Sequence, residues 1–178
     1  MKRLIYILPL AVFAVLATHF VIALTKDPRL LPSVLIDQPV PPFDLAPIEG
    51  RDRGLASRDL EGEVSLVNIF GSWCPQCEVE HPFLMKIKAS KWVPLHGIDW
   101  LEKNPADGPV WLAKFGDPYT LIGDDPKSRA AIAFGVTGAP ETFVVDKRGV
   151  IRYKLIGPMT ERIWFEKLHP IIAELRKQ

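Results

Sequence analysis

The chain carries two cysteines, Cys74 and Cys77, and the segment around them constrains the fold more than any other. An apolar, β-branched-rich run over residues 64–70 precedes them and predicts a buried strand. Residues 78–90 follow with many helix formers and predict a helix. This order places the first sulfur at a helix N-terminus, where unpaired backbone N–H groups and the helix dipole favour a thiolate. Cys74 is therefore predicted to be the exposed nucleophile of a disulfide-exchange site, and Cys77 its resolving partner.

Other uses of the cysteine pair have to be weighed against this one. A structural zinc site needs four ligands, and the chain has no second pair of cysteines. A three-ligand copper or zinc site made of Cys74, Cys77 and His81 stays open from the spacing alone. A permanent structural disulfide would close so short a loop that it would remove little entropy from the unfolded chain. We therefore favour a redox-active Cys74–Cys77 disulfide, and we expect no metal or other cofactor.

The N-terminus is strongly apolar. Residues 4–24 contain no Asp, Glu, Lys or Arg, and cations flank the run on both sides. An α-helix of about this length can cross the hydrocarbon core of a bilayer. A cleaved signal peptide is the alternative, but the run continues beyond the weak cleavage site at residues 15–17. We predict an uncleaved, single-pass anchor in the inner membrane over residues 1–24, with the catalytic part in the periplasm.

Beyond the anchor, a proline-rich linker is predicted over residues 25–38 and a single domain over residues 39–178. The formal net charge is +1 and there is no basic block, so nucleic acid is not an expected partner. Exported proteins commonly pair their cysteines into structural bridges. This chain has none beyond Cys74 and Cys77, so its cysteines are kept for chemistry.

The remaining patterns predict an α/β fold. After the helix that follows Cys77, the sequence indicates a strand over 92–100, a helix capped by Asn104, a strand over 119–122, and a helix that starts at Asp125. A hairpin over 142–145 and 150–155 and a last helix, capped by Thr160 and bent or split at Pro170, complete the domain. A parallel β-α-β start followed by an antiparallel hairpin predicts a central mixed sheet with helices on both faces.

Three motifs together make the chain resemble the thioredoxin superfamily, and within it the membrane-tethered DsbE/CcmG proteins of cytochrome c maturation. They are Trp-Cys-Pro-Gln-Cys at residues 73–77, Glu-His-Pro at 80–82, and Gly-Val-Thr-Gly-Ala-Pro-Glu-Thr at 135–142. The resemblance implies a thioredoxin-like fold and a thiol:disulfide oxidoreductase that reduces apocytochrome c in the periplasm before haem attachment. It also implies two kinds of partner: the haem-attachment machinery, and a membrane thiol-conveying reductant.

The same resemblance implies how the site is arranged. In the superfamily the later proline is cis and faces the disulfide, and that catalytic position falls on Pro140 here. A cis bond would turn the backbone of Ala139 toward Cys74, where an extended client peptide could pair with it. Without the resemblance, a trans proline opening a strand is the alternative. The expected substrate-binding residues are Trp73, Pro75, Ala139 and Glu141.

One departure from general thioredoxins concerns proton transfer. Thioredoxins carry a buried Asp six residues before the first cysteine, but this chain has Asn68 there, which cannot titrate. Our hypothesis is that Glu80, one turn past Cys77, manages the Cys77 proton as a catalytic residue, while Glu141 shapes the surrounding field. Negative charge near the sulfurs would raise thiol pKa values and make the pair more reducing. The alternative is that Glu80, Glu141 and Asp99 are solvated surface charges.

The resemblance leaves other functions open. The chain could be a dithiol oxidant, a general reductase of exported proteins, or a thiol peroxidase. It could also be a metal- or haem-handling binding module that uses Cys74, Cys77 and His81. The acidic residues Glu102 and Asp107, together with Asp117, are assigned to the family's acidic insert.

Overall fold

The computed structural model of the chain describes residues 2–24 and 34–178, except for the side chains of residues 2–7, 10 and 22–24. These residues fall into two compact units. The first holds helix α1, Lys2–Leu24, which contains Pro9. A search of the described residues finds no helix with the length and apolarity needed to cross a membrane. The predicted anchor thus coincides with a helix but is not confirmed as a membrane span, and most of the predicted linker, 25–33, lies outside the described residues.

The second unit is built on a five-stranded sheet with the strand order β5-β4-β3-β6-β7. Strands β3, β4 and β5 are parallel to one another, whereas β6 is antiparallel to β3, and β7 is antiparallel to β6. The predicted mixed sheet is therefore confirmed. The strands are β1 (Asp44–Leu45) and β2 (Leu55–Ala56), which form a separate small hairpin, and β3 (Ser65–Phe70), β4 (Leu95–Trp100), β5 (Ile122–Asp125), β6 (Glu141–Val145) and β7 (Ile151–Ile156).

The helices of this unit are α2 (Pro75–Ser90), α3 (Asp107–Phe115), α4 (Arg129–Ala133), α5 (Glu161–Ile163) and α6 (His169–Leu175), with a 3₁₀ turn at Ser57–Leu60. The predicted cap of the last helical segment is confirmed, because the Thr160 hydroxyl accepts the Ile163 N–H at 3.3 Å. A π-helical turn, Trp164–Leu168, joins α5 to α6 just before Pro170. Proline has no N–H for the usual helical bond, which explains why the regular helix is interrupted there.

Several predicted element boundaries are wrong. The strand predicted over 119–122 is found at Ile122–Asp125. The helix expected after Asn104 begins only at Asp107, whose carboxylate accepts the Asn104 N–H at 3.1 Å. The helix predicted to start at Asp125 begins only at Arg129. The Asp125 carboxylate caps it by accepting the N–H groups of Arg129 and Ala131 at 2.8 and 2.9 Å. The capping signals in the sequence therefore located the starts of α3 and α4 only to within a few residues.

Strand β3 is buried along its whole length and has an apolar cluster on each face. Leu66 and Phe70 belong to the cluster that contains α2 and both cysteines, whereas Val67 and Ile69 belong to the one that contains Phe134 of the α4 side. Helices thus cover both faces of the sheet, as expected. This burial explains the continuous apolar run of the strand, which gives the following cysteine segment a rigid base.

The end of the predicted linker adds to the edge of this sheet. The Asp37 N–H donates to the Ile151 carbonyl at 2.8 Å, and the Ile151 N–H donates to the Gln38 carbonyl at 2.9 Å. The Arg152 guanidinium also donates to the Asp37 carboxylate at 2.6 Å. Residues 37 and 38 are therefore paired with β7 rather than free of the domain.

Candidate active site

A disulfide bond joins Cys74 and Cys77 at the N-terminus of α2. Cys74 is the N-cap residue of that helix, and its sulfur accepts the Cys77 backbone N–H at 3.1 Å. The chain turns tightly between β3 and this helix, and the Cys74 N–H closes the turn by donating to the Gly71 carbonyl at 3.1 Å. A helix N–H aimed at a sulfur, together with the helix dipole, stabilises negative charge on that sulfur. The geometry therefore suits Cys74 as a thiolate nucleophile.

The exposure of the two sulfur residues differs from the expectation. Cys74 is 4% exposed and Cys77 is 1% exposed, so the prediction of an exposed nucleophile is wrong for the disulfide form. Both residues belong to the apolar cluster on the α2 side of the sheet. Cys74 nevertheless remains the more accessible of the two, which is the order that a nucleophile and a resolving cysteine require.

Trp73 and Pro75 flank Cys74 at the surface. Trp73 is 42% exposed, and its indole N–H donates to the Trp100 carbonyl at 2.9 Å while the two indole rings meet edge to face. Pro75 is the exposed first residue of α2, where its missing N–H has no helical partner to lose. Both residues border the disulfide, and their use in substrate binding stays a prediction.

The Ala139–Pro140 peptide bond is cis, as the family resemblance implied. In the sheet, Ile69 is paired with Glu141, so Pro140 lies opposite Phe70, at the end of β3 that leads to the cysteines. Ala139 is partly buried and packs against the apolar cluster that contains both cysteines. The catalytic role of Pro140 and the peptide-binding role of Ala139 stay predictions, but the structure places both residues at the end of β3 that leads to the cysteines.

Glu80 is buried at the centre of a hydrogen-bond network, so the surface-charge alternative is wrong for it. It is 1% exposed and lies one turn beyond Cys77 on α2. Its Oε1 accepts the Asn68 amide N–H at 2.9 Å, and its Oε2 accepts the Met159 backbone N–H at 2.7 Å. Asn68 in turn accepts the Tyr119 hydroxyl at 2.7 Å. Asn68, which stands where thioredoxins carry the buried Asp, therefore orients the Glu80 carboxyl group and does not itself titrate.

Burial raises the pKa of Glu80 from 4.5 to about 7, against the lowering effect of its hydrogen bonds to Met159 and Asn68. A carboxyl group with such a pKa can both take up and release a proton near neutral pH. It lies on the same helix as Cys77, three residues on, where side chains face the same side. These properties are those of a group that accepts the Cys77 proton, although that role itself remains a hypothesis.

Glu141 is also buried rather than solvated, and its carboxylate is fully engaged. Its Oε1 accepts the Thr137 backbone N–H and hydroxyl, at 3.0 and 2.5 Å, and its Oε2 lies 2.9 Å from the Lys154 ammonium. Lys154 is itself almost completely buried. The carboxylate thus braces the 137–140 segment from inside the domain, while its assignment to substrate binding remains a prediction.

Asp99 and Glu102 form the acidic part of the site. Asp99 is 1% exposed, so it too is not a solvated surface charge. Glu102 accepts both the backbone N–H and the hydroxyl of Ser72, the latter at 2.6 Å. The other two acidic residues lie elsewhere: Asp107 starts α3, and Asp117 pairs with Arg51.

His81 points to a partner other than the cysteines. Its Nε2 is 2.8 Å from the Gly116 carbonyl, and its ring packs edge to face on Trp111. Burial lowers its pKa, so the ring is neutral at pH 7. Within the described part of the chain, no group of three or more His, Cys, Asp or Glu side chains is arranged to hold a metal ion.

Sequence reasoning missed the partners of three buried polar residues: Met159 for Glu80, Lys154 for Glu141, and both Tyr119 and Thr142 for Asn68. Met159 contributes only its backbone N–H, for which no sequence signal exists. Lys154 could have been found, because the predicted hairpin places it on the strand next to Glu141. Thr142 and Tyr119 both contact Asn68, and a polar residue on a buried strand always needs such partners.

These features define a class of protein. A helix-capping cysteine bonded to a second cysteine one turn later, next to a cis-proline and on a mixed five-stranded sheet, is the site of a thioredoxin-like thiol:disulfide oxidoreductase. The family model described as Redoxin matches residues 36–169.

The particular family follows from the relatives. The chain is 42% identical over 167 residues to the thiol:disulfide interchange protein DsbE of Allochromatium vinosum, covering 94% of this chain and 92% of that protein. It is 41% identical over 175 residues to DsbE of Pseudomonas aeruginosa, covering 98% and 96%. The chain belongs to the DsbE/CcmG family of thiol:disulfide interchange proteins.

A solved structure supports the fold alone. A crystal structure described as a thiol:disulfide interchange protein DsbE from Chlorobium tepidum superposes with a TM-score of 0.66 at 23% identity. The superposition covers 80% of this chain and 99% of that one.

Proposed function

We propose that this thiol:disulfide oxidoreductase works as a reductant in the periplasm and that its client is apocytochrome c, whose haem-binding cysteines must be reduced before haem attachment. The observation that supports the direction is the position of the Glu80 carboxyl group, which is buried one turn beyond Cys77 on α2 and, with a pKa of about 7, is about half ionised at neutral pH. When Glu80 is ionised, its negative charge one turn from Cys77 disfavours a thiolate there and therefore favours the disulfide. A dithiol that prefers to become a disulfide is a reductant toward its partners.

The first step of the proposed cycle takes place at Cys74. In the reduced protein its thiolate, stabilised by the N-terminus of α2, attacks one sulfur of the client disulfide. A new bond joins Cys74 to the client, and the other client sulfur leaves as a thiolate that takes a proton from solvent. The two proteins are then held in a mixed disulfide.

The second step requires Cys77 to lose its proton. The Glu80 carboxylate accepts that proton, directly or through one water, and its pKa near 7 suits the transfer. The Cys77 thiolate then attacks Cys74, the mixed disulfide breaks, and the client leaves with its second sulfur reduced. Two electrons have passed from the Cys74–Cys77 dithiol to the client, and the protein is left in its disulfide form.

The client segment would bind in extended form along the backbone of Ala139, beside the cis Pro140. Backbone pairing of this kind recognises a peptide with little dependence on its sequence. The exposed ring of Trp73, next to Pro75, would cover the other side of the peptide. Glu141 would fix the 137–140 segment from inside the domain, because its carboxylate accepts the Thr137 N–H.

The cycle needs a source of electrons and a place to work. The periplasm is oxidising, so a membrane thiol-conveying protein is proposed to reduce the Cys74–Cys77 disulfide after each turn. The uncharged apolar run at residues 4–24 is proposed to anchor the chain in the inner membrane, next to that reductant and the haem-attachment machinery. Membrane fractionation of the expressed full chain, with and without alkaline washing, tests the anchor separately.

The function is tested by trapping the client. Cys77→Ser in the full chain removes the resolving thiol, so the mixed disulfide on Cys74 should persist and can be isolated under non-reducing conditions. Cys74→Ser, which keeps the same number of thiols, is the matched control and should trap far less. Mass spectrometry that finds an apocytochrome c on Cys74 supports the proposal. Recovery of many unrelated exported proteins without a cytochrome would replace it with a general reductase.

A further inference from the structure

The end of β4 and the residues that follow it hold the residues just ahead of the nucleophile. Glu102 accepts both the N–H and the hydroxyl of Ser72, and the Trp100 carbonyl accepts the Trp73 indole N–H. Ser72 and Trp73 are the two residues before Cys74, so these contacts fix the approach to the reactive sulfur. A carboxyl group that accepts two hydrogen bonds from one residue restrains that residue more than a single bond would.

The Asp99 carboxyl group lies near that of Glu102 and interacts with it. Their carboxyl groups are close enough to raise the pKa of Asp99 by a shared hydrogen bond, which two carboxyl groups can form only if one of them carries a proton. The start of α3 packs directly on Asp99, because a Cβ at Gly108 would overlap its Oδ2. Its Oδ1 is buried without a hydrogen-bond partner. This closed setting excludes water and favours the neutral, proton-carrying form of Asp99.

The charges around Asp99 act in the same direction. Burial first, then Glu102 by charge and by hydrogen bond, and then Asp124 and Asp107 raise the pKa of Asp99 to about 8. Asp124 is on the neighbouring strand β5, and Asp107 is at the start of α3. Tyr119 is a further titratable group near Asp99, which contributes to the raised pKa of the Tyr119 phenol. Asp99 therefore keeps its proton at neutral pH.

We propose that Asp99 and Glu102 are positioning residues for thiol–disulfide exchange, sharing one proton so that Glu102 can hold Ser72 and keep the Cys74 approach in place. Neither side chain touches the sulfurs, so the pair acts through Ser72 and not on the reaction itself. Loss of the shared proton leaves two adjacent carboxylates that repel each other, and the hold on Ser72 weakens. The inference rests on the exchange activity of the family and is independent of the identity of the client.

The oxidised full chain, in detergent, gives a clean test because its cysteines have no proton to lose. The measurement is the ¹⁵N–¹H signal of the Ser72 amide between about pH 6 and pH 9. We expect a titration step with a midpoint of about 8 in the natural protein. Asp99→Asn should abolish that step, because the amide keeps the hydrogen bond to Glu102 but cannot lose a proton. A step near pH 7 caused by Glu80 should remain in both proteins.

Glu78→Gln is the matched control. Glu78 is an exposed carboxylate one residue beyond Cys77, so this variant removes a nearby charge without touching Ser72. Its Ser72 signal should titrate as in the natural protein. A flat Ser72 signal in the natural protein, or the same upper step in Asp99→Asn, overturns the proposal.

The second readout is the rate constant for reaction of the reduced protein with glutathione disulfide at about pH 7. Glu102→Gln should lower it by about five- to ten-fold, because charge-assisted hydrogen bonds to Ser72 are lost. Asp99→Asn should retain the natural rate, since it is the conservative replacement. Glu78→Gln should change the rate by less than about two-fold, as expected for an exposed charge. A natural rate in Glu102→Gln overturns the positioning role, whereas a natural protein that exchanges with no disulfide would instead refute the activity.

Discussion

Replacing Glu80 with glutamine removes the buried titratable group beside Cys77 and keeps the size of the side chain. The change also alters the hydrogen bonds. Glutamine offers one acceptor and one N–H₂ donor, whereas Glu80 accepts from both Asn68 and Met159. One of those two donors therefore faces another donor in Glu80→Gln. A constant loss of roughly 1–3 kcal/mol in the free energy of unfolding is expected from that mismatch.

The pH-dependent part of the effect can be worked out from the pKa. Glu80 keeps its proton in the folded protein up to about pH 7, whereas the unfolded chain releases it near 4.5. Between these values the unfolded state binds fewer protons, so the stability of the natural protein falls as the pH rises. A pKa raised from 4.5 to about 7 corresponds to a total loss of roughly 3 kcal/mol, complete above about pH 7. Glu80→Gln lacks that loss.

Urea unfolding of the two oxidised proteins at about pH 4 and about pH 8 measures the difference. Glu80→Gln should gain roughly 3 kcal/mol relative to the natural protein between the two conditions. In single-turnover reduction of a client disulfide, it should also release the client about 100-fold more slowly at neutral pH, because Cys77 loses its proton acceptor. Parallel stability profiles, together with an unchanged rate of client release, would refute the reasoning.

Three further substitutions test the packing that supports the site, each by urea unfolding. Asn68→Asp removes the donor to Glu80 and brings a second carboxyl group to it. At about pH 8 the change should lower the free energy of unfolding by roughly 2–4 kcal/mol, with a smaller loss in acid. A loss that does not depend on pH would contradict this. Lys154→Met leaves the Glu141 carboxylate buried and unpaired and should cost about 3–5 kcal/mol, most of which adding Glu141→Gln should restore. Phe134→Ala empties a fully buried site and should cost about 3–5 kcal/mol; under about 1 kcal/mol would mean that the second apolar cluster is loosely packed.

The sequence was most informative where one local pattern determines the geometry. The strand, cysteine turn and helix at residues 65–90 were predicted because the apolar run, the proline at the first helical position and the helix formers all agree. The cis bond before Pro140 came from the family resemblance and could not have been derived from the residues alone. The helix starts after Asn104 and Asp125 were misplaced, because α3 begins only at Asp107, whose carboxylate accepts the Asn104 N–H, and Asp125 caps a helix that begins at Arg129.

The acidic residues show where sequence reasoning ends. Glu80, Glu141 and Asp99 were recognised as candidates, but a sequence does not reveal whether a carboxyl group is solvated or buried. Their burial depends on partners from distant segments, such as the Met159 N–H for Glu80 and Lys154 for Glu141. The hydrogen bonds from Ser72 to Glu102 likewise form only because the fold brings the end of β4 next to the end of β3.

The account as a whole depends on the Cys74–Cys77 pair being a reversible, reducing dithiol. Its reduction potential can be measured by equilibrating the full chain in glutathione or dithiothreitol buffers and counting alkylated thiols by mass spectrometry. We expect a value below about −200 mV, on the reducing side of the protein disulfide isomerases. A value near about −120 mV, that of a strong oxidant, or a pair that never equilibrates with the buffer, would contradict the account.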